Sequence, residues 1–131
     1  WKDVTVRSGG TRQVVEREGV VFIEMAPGID KNGLKNGYDW ENKVNMALGI
    51  PDITKLLGDP NVTSEIKLVH DNERTGIKSL TISPGREGQG GASFNLRMGD
   101  NSAFVYLTKG EYTLFLTAVR DRISFLIGWS D

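Results

Sequence analysis

The chain has 131 residues, of which 38% are hydrophobic, enough for one buried core and short of two. Its 16 basic and 17 acidic side chains leave a net charge of −1, which excludes a polybasic or acidic tail and leaves any polyanion to local patches. Without cysteine there is no disulfide, thiolate site or thiol nucleophile, and the single histidine leaves zinc short of ligands, so no metal and no cofactor are expected.

No apolar run approaches the roughly 20 residues of a spanning helix, so a soluble chain without a membrane segment is expected. It opens on Trp1, which reads as the loss of an upstream segment, either for targeting or disordered. Residues 3–7 alternate, Val4 and Val6 against Thr5 and Arg7, and 12–17 extend again through Val14 and Val15. Glu18-Gly19 predicts a hairpin turn into the β-branched and aromatic run 20–25, which Pro27-Gly28 stops. Residues 30–37 read as a polar loop. A fourth strand follows over 38–48, with Val44, Met46 and Leu48 on one face and Lys43, Asn45 and Ala47 on the other. Gly49-Ile50-Pro51-Asp52 then opens a short helix with the apolar stripe Ile53, Leu56 and Leu57.

The second half repeats this order. Strands are predicted over 64–71, 76–83, 91–98 and 102–107, a glycine-rich hairpin loop over 84–91, and a helix from Lys109. Aligning Leu48 with Leu107 also aligns Val44 with Ala103, Gly49 with Thr108, Asp52 with Glu111 and Ile53 with Tyr112. The pattern predicts one α+β domain over 1–131, built from two ββββα repeats of about 1–60 and 61–131. The last helix, expected over 112–129, carries Leu114, Phe115, Leu116, Val119, Ile123, Phe125, Leu126, Ile127 and Trp129, with Arg120-Asp121-Arg122 as a break. That exceeds what one sheet face can cover and predicts self-association.

Catalytic signals are weak. His70-Asp71 lies in a predicted strand without a nucleophile motif, so a structural histidine is expected. Residues 85–91 lack the Gly-Lys-Ser/Thr ending of a phosphate loop and join two strands. Asn61-Val62-Thr63 fits a glycosylation acceptor, which matters only in a secreted chain. No enzyme is expected. Placing Val21, Ile23, Met25, Leu80, Ile82, Phe94, Leu96, Val105 and Leu107 on the covered face leaves Phe22, Ser79, Thr81, Ser93, Asn95, Arg97, Phe104 and Tyr106 on a wet one. Lys43, Asn45 and Lys78 lie on or next to it by spacing. Rings for stacking, amides and hydroxyls for base edges, and scattered cations for phosphate suit a single-stranded nucleic acid. An oligomer interface and an ordinary solvated face stay open as alternatives.

Gly37-Tyr38-Asp39-Trp40-Glu41-Asn42-Lys43 followed by Met46-Ala47-Leu48 resembles a segment of the Whirly single-stranded DNA-binding proteins. Glu18-Gly19, Pro27, His70-Asp71, Lys78-Ser79-Leu80, Leu107-Thr108-Lys109 and Gly128-Trp129 look like further landmarks of that family, in the same order. The resemblance implies two packed antiparallel four-stranded sheets with helices, a homotetramer, and single-stranded DNA bound along the sheets between protomers. It adds Tyr38 and Trp40 to the candidate residues and points to genome maintenance or transcription in an organelle, mitochondrion or plastid. An RNA-binding or annealing factor of the same fold is the nearest rival, and an oligomeric protein-interaction scaffold the rival from another class. The Lys-Gly-Lys-Ala-Ala-Leu segment of plant members is absent, residues 2–7 taking its place, so the higher assembly linked with it does not carry over.

Overall fold

The computed structural model describes residues 2–8, 11–31, 34–74, 76–86 and 89–123, with the backbone alone for 2–8, 11–18, 29–31 and 34–36. The strands are β1 (Lys2–Ser8), β2 (Thr11–Glu18), β3 (Val21–Met25), β4 (Gly28–Lys31), β5 (Leu34–Tyr38), β6 (Val44–Leu48), β7 (Ile66–Asn72), β8 (Gly76–Pro84), β9 (Ala92–Met98) and β10 (Asn101–Leu107). Helix α1 (Ile50–Gly58) follows β6, and α2 (Lys109–Asp121) follows β10.

Strict alternation shapes the second half. Leu80 and Ile82 of β8 and Ala92, Phe94 and Leu96 of β9 are buried, while the residues between them stay partly wet. This period of two makes each strand amphipathic, and the strands pair as one antiparallel sheet in the order β10-β9-β8-β7. Against its apolar face β6 packs on β9 and β10, α1 on β6 and β7, and α2 on β10 and α1. The core draws on both halves of the chain, with Met46, Leu48, Leu56, Leu80 and Leu96 wholly buried. Each such side chain stabilises the fold by about 1.5–3 kcal/mol. Phe94 meets Tyr112 and Phe115 edge-on, at centroid distances of 5.9 and 5.2 Å, which seats α2 on the sheet.

The first half departs from expectation in its pairing. β3 pairs with β6, from Val21 opposite Leu48 to Met25 opposite Val44, whereas β1 and β2 form a ladder of their own in place of the expected β2–β3 hairpin. The stretch expected as a polar loop pairs as a ribbon, β4 with β5, Gly28 opposite Tyr38. The expected strand over 38–48 is interrupted. The Asp39 carboxylate accepts from the Asn42 backbone N–H (3.4 Å) and side-chain amide (2.6 Å), which winds Trp40–Asn42 into a 3-10 turn. The Asp39 N–H donates to the Pro27 carbonyl (2.8 Å), so ribbon and β3–β6 pair form one long, kinked hairpin. Antiparallel pairing with two helices keeps the α+β class predicted. The expected break at Arg120-Asp121-Arg122 is where α2 ends, with Arg122 as its C-cap. Phe125, Leu126, Ile127 and Trp129 lie outside the described residues.

Both strand-to-helix junctions use the spacing seen in the sequence. The Thr108 hydroxyl accepts from the Glu111 N–H (3.2 Å) and the Glu111 carboxylate from the Thr108 N–H (2.9 Å), a complete capping box. At α1 glycine supplies no side chain, and only the return half forms, Gly49 N–H to Asp52 Oδ2 (3.0 Å). The same oxygen lies 2.8 Å from His70 Nε2, so the histidine ties β7 to α1 and is structural, as expected.

Hydrogen bonds from the Thr108 backbone and then its hydroxyl hold the Glu111 carboxyl below its ordinary 4.5. A folded value below the unfolded one means stability that is present above 4.5 and is lost as pH falls through the lowered value. Independently of this, Thr108→Ala removes the hydroxyl that caps the Glu111 N–H and is expected to cost about 0.5–2 kcal/mol in urea unfolding at neutral pH. The gap between the parent protein and Glu111→Gln should shrink as the same titration is repeated below pH 4.5.

Candidate nucleic-acid interface

The register of the second sheet sets its outer face in rows. Ser79 lies opposite Arg97 and Arg97 opposite Ser102; Thr81 lies opposite Asn95 and Asn95 opposite Phe104; Ser83 lies opposite Ser93 and Ser93 opposite Tyr106. Seven candidates, Ser79, Thr81, Ser93, Asn95, Arg97, Phe104 and Tyr106, thus share the face turned away from Leu80 and Leu96. Hydroxyls and amides surround a Phe104 ring that is 67% exposed. Most of its apolar surface is left uncovered by the chain, so the ring is free to stack.

Two clefts meet at Phe104. The first, of about 480 Å³, lies between Phe104, Tyr106 and Ser93 on the sheet and Arg86 and Gln89 on the β8–β9 hairpin. The described residues of the glycine-rich hairpin are tied to one another and to the sheet. Gly85 N–H donates to the Gly91 carbonyl (3.1 Å), Gln89 N–H to the Arg86 carbonyl (3.0 Å), and the Tyr106 hydroxyl to the Gly90 carbonyl (2.8 Å). Glycine is required at its base. Gly91 has φ +81°, and a Cβ there would collide with the Leu107 carbonyl oxygen and come within 2.9 Å of the Tyr106 hydroxyl. Tyr106 therefore offers its ring while its hydroxyl anchors the hairpin.

The second cleft, of about 300 Å³, joins the two halves of the chain. Tyr38 and Trp40, brought there by the end of β5 and the 3-10 turn, are exposed and line it with Phe104, Val105 and Met25. Val105, expected on the covered face, is 38% exposed because β10 edges its sheet. Glu24 completes the wall, and its carboxylate lies 3.4 Å from Lys43 Nζ. Both volumes fall in the roughly 300–1,000 Å³ range of small-molecule sites.

Four candidates stand apart. Phe22, exposed on β3 opposite Ala47, lines neither cleft. Lys43 faces Glu24, and Asn45 sits opposite Glu24 on β6. Lys78 is not on the outer face: it shares the parity of Leu80 and Ile82, and its ammonium donates to Asn45 Oδ1 (2.8 Å). A lysine near the start of a strand can occupy the apolar side because its stem covers apolar surface while its head finds a polar partner. Arg86, Gln89 and Glu24 were missed. Loop residues carry no periodicity, but the parity of Phe22 already pointed to Glu24 two residues on.

This architecture has counterparts among known proteins. A family model described as Whirly transcription factor matches residues 4–118. The chain belongs to the Whirly family. It is 30% identical over 128 residues to the chloroplastic single-stranded DNA-binding protein WHY1 of Zea mays, an alignment covering 88% of this chain and 46% of that protein. With the chloroplastic single-stranded DNA-binding protein WHY3 of Arabidopsis thaliana it shares 28% identity over 97% of this chain and 49% of that one. This Whirly chain thus spans about half the length of the curated relatives it matches. It superposes on the crystal structure of WHY3 from Arabidopsis thaliana with a TM-score of 0.65 at 21% identity, over 97% of this chain and 79% of the other, so the two share a fold.

Proposed function

We propose that this Whirly protein binds single-stranded nucleic acid, DNA before RNA, without catalysing a reaction. The observation that carries the reading is the exposed Phe104 ring standing between two clefts, with Tyr38 and Trp40 on one side and Tyr106 on the other. Aromatic faces accept any base, and a sheet face has no element shaped to enter a major groove, so duplex is disfavoured and little sequence is read. The names of the relatives, single-stranded DNA-binding proteins of chloroplasts, support both the ligand and the plastid arm of the organelle expectation. Roles in genome maintenance or transcription accord with it.

The assembly proposed is a homotetramer. On α2, Leu114 is 72% exposed with Ala118 one turn on, an apolar stripe that the single chain leaves uncovered. Arg86 beside the clefts and Arg97 on the same sheet face supply the phosphate contacts, and Lys43 is shared with Glu24. Two contacts correspond to a slope of log K on log salt of about −1.4, at roughly −0.7 per neutralised phosphate of a single strand.

Light scattering on the purified protein should report four chains, and a labelled 30-mer should then be competed with unlabelled single strand and duplex at two salt concentrations. Displacement by single strand alone, with a shallow salt slope, is the expected result. Equal displacement by duplex would remove the stacking mechanism. Absence of binding to either would favour the protein-interaction scaffold.

A further inference from the structure

We infer that the cleft joining the two halves adds a modest base preference to this sequence-tolerant binding, favouring a nucleobase that carries an exocyclic amine, with Glu24 as the hydrogen-bond acceptor. This rests on the single-strand reading above and deepens it. Apart from Glu24, the groups that wall the cleft are apolar or aromatic: Met25, Tyr38, Trp40, Phe104 and Val105. Their rings hold the face of any base, and of their polar atoms the Trp40 indole N–H only donates and the Tyr38 hydroxyl does both, so the acceptor-only group of the wall is Glu24.

Glu24 is the one charged residue among them, and its sign is wrong for a phosphate. A carboxylate on the path of a polyanion weakens binding unless it meets hydrogen-bond donors. An ionised carboxylate accepts and never donates, so its partner must present N–H. Cytosine and adenine carry amino groups on their pairing edge, and guanine an amino group beside a ring N–H. Thymine and uracil present one ring N–H between two carbonyls, whose lone pairs face the carboxylate oxygens unfavourably. A carboxylate accepting from the cytosine amine is an established pairing.

Glu24 reaches the cleft from the end of a strand. It lies on β3 immediately before Met25, opposite Asn45, where the strand pair gives way to the kink at Pro27. Its partner Lys43, at 3.4 Å, limits the repulsion that a free carboxylate would exert on the backbone of the strand. The two side chains are 46% and 39% exposed, so the pair itself adds little to folding. An ion pair with little structural value on the wall of an aromatic cleft is better explained by what the cleft holds.

The test compares oligodeoxycytidine with oligodeoxyuridine of equal length, whose bases differ in an amine against a carbonyl at one ring carbon and in a lone pair against an N–H at the ring nitrogen beside it. Fluorescence anisotropy on the tetramer at fixed salt should give five- to tenfold tighter binding of the cytidine strand. Glu24→Gln, whose amide both donates and accepts, should bring the ratio to within twofold, with circular dichroism confirming an unchanged fold. A parent ratio already within twofold overturns the inference while leaving single-strand binding intact. An equal rise in affinity for both strands in Glu24→Gln, with the ratio kept, also overturns it and makes Glu24 only a repulsive charge. Failure of both strands to bind would instead remove the single-strand reading itself.

Discussion

Replacing Phe104 by alanine should weaken single-strand binding by ten- to a hundredfold while leaving the fold in place. Stacking contributes about 1–3 kcal/mol per base, and about 1.4 kcal/mol is tenfold in affinity. Phe104 walls both clefts, so its removal affects two neighbouring bases at once. The stability cost is small because the ring is 67% exposed on β10, at the edge of its sheet, and leaves no buried cavity behind. Phe22→Ala serves as the comparison. That ring is 57% exposed yet lines neither cleft, and its loss should change affinity less than threefold. Titrating a labelled oligonucleotide with both variants, alongside thermal melts, separates the two rings. Equal losses would mean that stacking is spread over the whole wet face, and an unfolded Phe104→Ala would mean that the ring supports the sheet.

The parity argument placed most of this face because β8 and β9 alternate cleanly, and alternation fixes which side chains share a side. It failed where side chains break the period. Nothing periodic in 30–37 marks the β4–β5 ribbon, whose pairing is a matter of backbone register. The run 38–48 has strand-like composition, but the Asp39 carboxylate offers the Asn42 N–H and side-chain amide a partner only three residues away, and the chain winds instead. That turn carries Trp40, a residue the resemblance added, to the cleft, where periodicity had the wrong element. Lys78 shows the reverse error. Expected on or next to the wet face, it shares the parity of Leu80 and lies on the apolar side. The Arg86 and Gln89 contribution was illegible for another reason: a hairpin loop is shaped by glycine backbone angles and by a tyrosine more than ten residues away in the chain.

The hairpin can be tested through its base. Gly91→Ala should destabilise the protein by about 1–3 kcal/mol and reduce binding more than its stability loss alone accounts for. Two costs coincide there. The φ of +81° is unfavourable for alanine, and the added Cβ collides with the Leu107 carbonyl oxygen, a backbone atom of β10 that cannot turn aside. Relief requires the hairpin to move away from β10, which pulls Gly90 from the Tyr106 hydroxyl and carries Arg86 and Gln89 off Phe104. Gly99→Ala isolates the first cost. Its φ is +62° with no atom within 4 Å of the added Cβ, so it should lose about 1 kcal/mol and bind single strands normally once folded. Tyr106→Phe isolates the anchor, keeping the ring for stacking while removing the hydrogen bond to Gly90. If hairpin position matters for binding, Gly91→Ala and Tyr106→Phe should lose affinity in the same direction, the first more than the second. If Gly91→Ala melts earlier but binds as the parent does below its transition, Arg86 and Gln89 take no part in holding the strand.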